Sequence, residues 1–180
     1  MHSCKFRVIF IGNLGVMTAY GPKKKHLIFH RANTDKDIQQ IYEYSIDAFS
    51  DYSPDIKWTP EEIKKDIKDG WQLYSACIGE EVIAALFLRE DGDTLLTKNT
   101  AIKINYQGEG HSHRIKEFFE ERAREMKLAK IVHYCAIDDF RMYSLNESHG
   151  YKKTPTRLGE NGLLTEWVRN LTDRFTRKKD

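Results

Sequence analysis

The chain has 180 residues, 40% hydrophobic and 31% charged, with 29 basic and 27 acidic side chains and a formal net charge of +2. That length and balance fit one globular unit with a sizeable core, and they argue against nucleic-acid binding, which needs a concentrated basic face. Cys4, Cys77 and Cys135 form neither a disulfide framework nor a thiolate metal site, so a reduced, cytoplasmic setting and no resident metal are expected.

From the N-terminus, the apolar stretch 8–17 is shorter than the about 20 residues of a bilayer span. No small-residue cleavage site follows it before Lys23. Residues 1–26 therefore read as an extension, an extra strand or hairpin turning at Gly12-Asn13-Leu14-Gly15. A strand is expected over 27–32. Thr34 or Asp35 then caps a helix with apolar positions Ile38, Ile41, Tyr42, Ile46 and Phe49, and Pro54 closes that region. Thr59-Pro60-Glu61-Glu62 is a capping box with proline at the first helical position; its helix carries Ile63 and Ile67 and stops at Gly70. Strands follow over 71–78, 82–89 and 94–104, joined at Gly79-Glu80 and at Asp91-Gly92, a strong hairpin signal.

The third of these strands runs into Gln107-Gly108-Glu109-Gly110-His111-Ser112, which opens a helix with Ile115, Phe118, Phe119, Arg122 or Ala123, and Met126 on one stripe. His111 and His113, two apart, fall on different sides of that helix, which argues against a helical zinc pair. An apolar strand over 130–137 holds Cys135 as a core residue. Asp138 or Asp139 caps the next helix, with Met142, Tyr143 and Leu145 on its apolar face, and Gly150 ends it in the left-handed conformation. Strands over 151–154 and 163–171 precede a basic tail, 172–180. No internal repeat is present.

The glycine turn is the most informative segment. Two glycines let the backbone take φ > 0 and approach a ligand. The helix behind them offers unpaired N–H groups and the positive end of its dipole. Together these make a phosphate or pyrophosphate site, and hence point to a nucleotide-bearing cofactor.

With the turn placed after the third meander strand, residues 27–171 resemble the GNAT superfamily of acyl-CoA-dependent N-acyltransferases. The family's Arg/Gln-x-x-Gly-x-Gly/Ala reads here as Gln107 to Ser112, with Ser112 in the last position. Asp139 stands where the family's later helix commonly has Asn, and Gly150-Tyr151 matches the helix ending. The resemblance implies a mixed α/β (α+β) fold: a mostly antiparallel central sheet of six to seven strands, flanked by about four helices. It implies an acetyl-CoA co-substrate whose acetyl group passes to a primary amine, on a small molecule or a protein, by direct attack in a ternary complex.

In that reading Gln107, Gly108, Glu109, Gly110, His111 and Ser112 hold the pyrophosphate. A backbone N–H around Ile102, Lys103 or Ile104 meets the oxyanion. Pantetheine runs between the strand ending at Ile104 and the strand 132–137. Asp139 belongs to the cofactor-binding set. The residue that would protonate the CoA thiolate falls on Asn146, with Tyr143 one turn earlier as the substitute. The general-base position falls on Asn99, which cannot take up a proton; Glu90, Asp91, Asp93, His30 and His133 stay open. Acceptor choice is assigned to 49–71, with Tyr52, Trp58 and Trp71, and to a hairpin near 158–163. The expected partners are an acyl-CoA and an amine acceptor, not nucleic acid or a membrane, and a homodimer is left open. Two alternatives stand beside this reading: a long-chain or autoinducer-synthase-like acyltransferase, and a CoA-binding protein without turnover. Gly110→Asp is expected to weaken CoA binding, and Lys116→Ala to matter much less.

Overall fold

Strict alternation in the middle of the chain builds the scaffold. In the computed structural model, which describes residues 26–49 and 59–171, strand β3 (Glu81–Asp91) sends Ala84, Leu86 and Leu88 to one face and Ala85 and Phe87 to the other. The expected N-terminal hairpin, Tyr52, Pro54, Trp58 and the basic tail lie outside the described residues. The strands β1 (Ile28–Arg31), β2 (Gln72–Ile78), β3, β4 (Thr94–Ile102), β5 (Lys130–Ala136), β6 (Lys152–Leu158) and β7 (Leu164–Asn170) make one sheet ordered β1-β2-β3-β4-β5-β7-β6. Every neighbouring pair is antiparallel except β4–β5, which is parallel.

The helices take opposite faces. On one side α1 (Asp35–Phe49) and α2 (Pro60–Lys68) bury Ile38, Ile41, Tyr44 and Ile63 against Leu73, Ala85 and Phe87. On the other, α3 (His111–Glu125) buries Ile115, Phe118, Phe119 and Ala123 against Leu86, Leu88, Leu95, Ile131 and Trp167, and α4 (Phe140–Ser148) adds Met142 and Tyr143. None of the helices among the described residues is long and apolar enough to cross a membrane.

The caps follow the sequence. Thr34 Oγ1 accepts from Asp37 N at 3.2 Å while the Asp37 carboxylate accepts from Thr34 N at 2.9 Å. Thr59 and Glu62 form the expected reciprocal box on α2. Asp139 Oδ1 caps α4 through Met142 N at 3.0 Å, and Gly150 closes it at φ 72°.

Three expectations need correction. Ile46 is not on the buried stripe of α1: it is 52% exposed, while Tyr44 and Ser45 are buried. Five residues beyond Ile41 is about 140° around a helix, so hydrophobicity alone misplaces it. Strand β4 stops at Ile102 rather than Ile104, because Lys103 N donates to Ile83 O and the chain then winds into a 3-10 turn, Ile104–Tyr106. Strand β6 continues to Leu158, past Pro155. It is the sheet's edge and its register against β7 shifts between Lys153 and Arg157, both of which accommodate a proline.

Candidate active site

The sheet opens where its two antiparallel halves meet. Strands β4 and β5 pair only from Thr94↔Lys130 to Thr97↔His133. Residues 98–102 of β4 and 134–136 of β5 continue without pairing to each other. The cause lies one strand away. Against β3, the register of β4 jumps from Phe87↔Lys98 to Ala85↔Ala101, so β4 holds one extra residue at 99–100. Such a bulge bends its strand and increases local twist. The result is a wedge-shaped gap lined by strand edges, whose free N–H and C=O groups suit an added extended ligand.

At the open end of the wedge stands the glycine turn. Gly108 and Gly110 sit at φ 83° and 85°, and a Cβ on either would meet nothing within 4 Å. Gln107 Nε2 donates to Ile102 O at 2.9 Å and ties the turn to the end of β4. Gln107 N donates to Ile104 O and His113 N to Gly110 O. The N–H groups of Gly108, Glu109, Gly110, His111 and Ser112 find no backbone acceptor among the described residues. Five amides leading into a helix thus have no hydrogen-bond acceptor among the described residues, an arrangement suited to an anion. The Glu109 carboxylate also stands in the turn, 3.2 Å from His111 Nε2. Ile102 is partly buried and Ile104 is 58% exposed, while the Lys103 N–H is engaged by Ile83.

On the far lip, Tyr143 is half-buried, its ring edge-on to Trp167 with centroids 4.9 Å apart and its hydroxyl donating to Ile137 O at 3.0 Å. Asn146 lies sealed beneath α4 at 0% exposure, with neither amide atom hydrogen-bonded among the described residues. Asp139 acts within its own helix, as the cap.

Of the base candidates, Glu90, Asp91 and Asp93 cluster at the β3–β4 turn, on the paired side of the wedge, and Asp93 is held by Thr94 at 3.0 Å and Lys130 at 3.5 Å. His30 sits on the edge strand, three strands from β4. His133 stands at the vertex, fully buried. Thr97 Oγ1 donates to Val132 O at 3.2 Å and so accepts from His133 Nδ1, also at 3.2 Å, leaving Nε2 as a bare acceptor. Burial first, and the charge of Lys116 second, hold this imidazole well below its usual range, so it is neutral. The side chain of Asn99 is outside what is described.

Several buried polar residues were not anticipated from sequence. Lys116 is 2% exposed, its Nζ 4.4 Å from the Tyr151 ring and without a hydrogen-bond partner; burial pushes its amine down to about 7. It is therefore not the neutral surface position that an alanine control needs. The signal was available: Lys116, Phe119, Glu120 and Ala123 share the i, i+3, i+4, i+7 spacing of the buried face. Glu120 is buried as well, 3.1 Å from Arg124 Nη2, and His149 bridges from it to His113 at 3.0 Å. On the opposite face of the sheet, Tyr134 donates to Glu166 at 2.8 Å. In the stretch assigned to acceptor choice, Trp71 packs edge-on to Phe87 and receives Lys98 Nζ 4.3 Å from its ring centroid. Leu158 and Leu163 are exposed.

No family model and no curated protein matches the sequence. Solved structures do. An acetyltransferase from Streptococcus agalactiae 2603 superposes with a TM-score of 0.66 at 18% identity, over 81% of this chain and 98% of that one. The PaiA N-acetyltransferase of Thermoplasma acidophilum, in complex with coenzyme A, gives 0.67 at 10% identity over 81% and 99%. A GNAT family acetyltransferase from Elizabethkingia anophelis with acetyl-CoA bound gives 0.57 at 18% identity over 83% and 100%. Superposing over about four-fifths of its length on each of them, this chain has the fold of the GNAT acetyltransferases.

Proposed function

We propose that the protein is an N-acetyltransferase, carried on residues 27–171, that moves an acetyl group from acetyl-CoA to a primary amine by direct attack in a ternary complex. The observation that carries this reading is the four-pair parallel ladder that opens onto five unpaired amides. The amides of Gly108 to Ser112 bind the pyrophosphate. Pantetheine lies along the free edges of 98–102 and 134–136 as an added strand would. The thioester carbonyl meets an amide of the splayed part of β4. Lys103 is excluded as that donor by its bond to Ile83 O, which leaves 98–102. The amine must arrive unprotonated or lose a proton to water. As nitrogen bonds to the acetyl carbon, the carbon–sulfur bond breaks, CoA leaves as a thiolate, and the nitrogen gives up its extra proton to water to become the amide. Tyr143 is assigned to protonate the thiolate, its hydroxyl first leaving Ile137 O.

Mixing the protein with acetyl-CoA and a broad panel of primary amines while following free thiol tests the reading directly. Amine-dependent thiol release is expected; none across the panel overturns it. A thermal shift with CoA separates binding from turnover, because a ligand that binds only the folded state raises the midpoint. A shift without thiol release would favour the CoA-binding protein without turnover, a reading supported by the engagement of the Tyr143 hydroxyl.

A further inference from the structure

The two faces of the wedge vertex differ in what can reach it. On the α3 face, Thr97, His133 and Lys116 are at most 4% exposed and fill the space. On the α1/α2 face, the residues just past the last β4–β5 pair are Lys98 and Tyr134. The Lys98 side chain keeps 31% of its surface and Tyr134 is half-buried. By these exposures the second face is the more open of the two to a group attacking a thioester threaded between the strands.

Its polar groups are already sorted. Lys98 Nζ is neutralised by Asp66 of α2 at 2.8 Å and lies over Trp71. Tyr134 faces Glu166, its register partner on β7, and donates its only proton to Glu166 Oε2 at 2.8 Å. Thr154 of β6 donates to Glu166 Oε1 at 2.7 Å. Hydroxyl bonds from Thr154, Tyr134 and Thr156 outweigh burial and hold the Glu166 carboxyl below its usual range, so it stays an anion. Burial and that anion push the Tyr134 phenol up to about 12, so it stays protonated. A phenol whose hydrogen is fixed in one direction has its oxygen lone pairs fixed in the other, and among the described residues no side chain donates to the Tyr134 oxygen.

We propose that Tyr134 Oη receives an N–H of the acceptor amine at the wedge vertex, and that Glu166 is the positioning residue that fixes the Tyr134 hydroxyl in the receiving orientation. The inference rests on the acetyltransferase reading and adds to it the point at which the amine is held. A hydrogen bond from N–H to oxygen directs the nitrogen lone pair toward the acetyl carbon, which is where orientation counts. The subsite takes an uncharged primary amine, or one that sheds its extra proton on arrival. The carboxylate behind the phenol favours acceptors that are cations in solution.

The test uses the full chain, acetyl-CoA and the best amine from the panel, with Tyr134→Phe, Glu166→Gln and the double variant. Tyr134→Phe should lower kcat/KM for the amine at least tenfold while the CoA dissociation constant moves less than twofold. Glu166→Gln keeps an oxygen that still accepts from Tyr134, so it should lose less than Tyr134→Phe. The double variant should be no worse than Tyr134→Phe alone, because Glu166 acts only through that hydroxyl. Losses that multiply, or that follow the fall in melting temperature, would make the pair a cross-strand brace and overturn the proposal. Full activity in Tyr134→Phe would overturn it too, while leaving the acetyltransferase reading intact. Absence of thiol release from the native protein overturns both.

Discussion

Gly110 carries the sharpest consequence of any one residue. Its φ of 85° costs a non-glycine residue roughly 1–2 kcal/mol, but no atom blocks a Cβ. Gly110→Asp should therefore fold with a modestly lower melting temperature. Its carboxylate would stand among the five free amides, and CoA affinity should fall at least about tenfold, or 1.4 kcal/mol. Calorimetric titration checks this, with exposed Glu117→Ala as control in place of the buried Lys116. Glu109 makes the opposite prediction. Its carboxylate already stands in the turn with His111 as its one partner among the described residues, so Glu109→Gln should tighten CoA binding at low salt, with the gain shrinking as salt screens it. Lys116 shows how one buried amine links stability to pH. An unfolded lysine titrates near ~10.4, the folded one near about 7. Between those values the unfolded chain holds the extra proton, so stability rises with pH through that window; below it the full burial penalty applies. Lys116→Met should raise stability at pH 7 and flatten the rise between pH 7 and 10, read by denaturant unfolding.

Among the elements, the difference between the legible and the hidden is a difference of range. Caps, hairpin turns and the glycine turn are local chemistry, and Thr59-Glu62, Asp91-Gly92, Asp139 and Gly150 all stand in the structure as their side chains or backbone freedom require. The order of elements, read through the family resemblance, was enough to anticipate the mostly antiparallel sheet with its flanking helices. The gap between β4 and β5 was anticipated only through the family resemblance, because its cause, an extra residue at 99–100, exists only relative to β3. The polar set was hidden for the same reason. His113, Glu120, His149 and Tyr134 acquire meaning from partners as much as 49 positions away. Gln107 was readable as a motif position, but not as the strut that fixes Ile102 to the turn. On α4, the position of Tyr143 tests the assignment of an acid. Tyr143→Phe keeps the ring against Trp167 and loses only the hydroxyl. If the hydroxyl serves the leaving thiolate, kcat should fall by about 10- to 100-fold, within the usual range for acid–base catalysis or just below it, with CoA affinity little changed. Unchanged kcat would return Tyr143 to packing.

At the scale of the whole molecule, seven strands in the order 1-2-3-4-5-7-6 are two antiparallel sheets sharing one seam. Among the interior strands the antiparallel pairs are extensive: seven residue pairs join β2 to β3, and seven join β5 to β7. Four join β4 to β5, the same number as at each edge of the sheet. Amides along that seam, from Leu95 to His133, should therefore exchange with solvent deuterium faster than amides of β3 or of the β5–β7 pairing, because local openings follow the weakest cooperative boundary. Mass spectrometry of exchanged peptides reads this directly, and protection at the seam equal to that of β3 would contradict it. A ligand laid in the wedge changes the count. By hydrogen-bonding both loose edges at once it becomes, in mechanical terms, the missing strand of the sheet. Free chain and complex would then differ as a hinged plate differs from a riveted one. Each turnover that frees CoA would unfasten the seam, and product release would be the moment at which the two halves regain their independence.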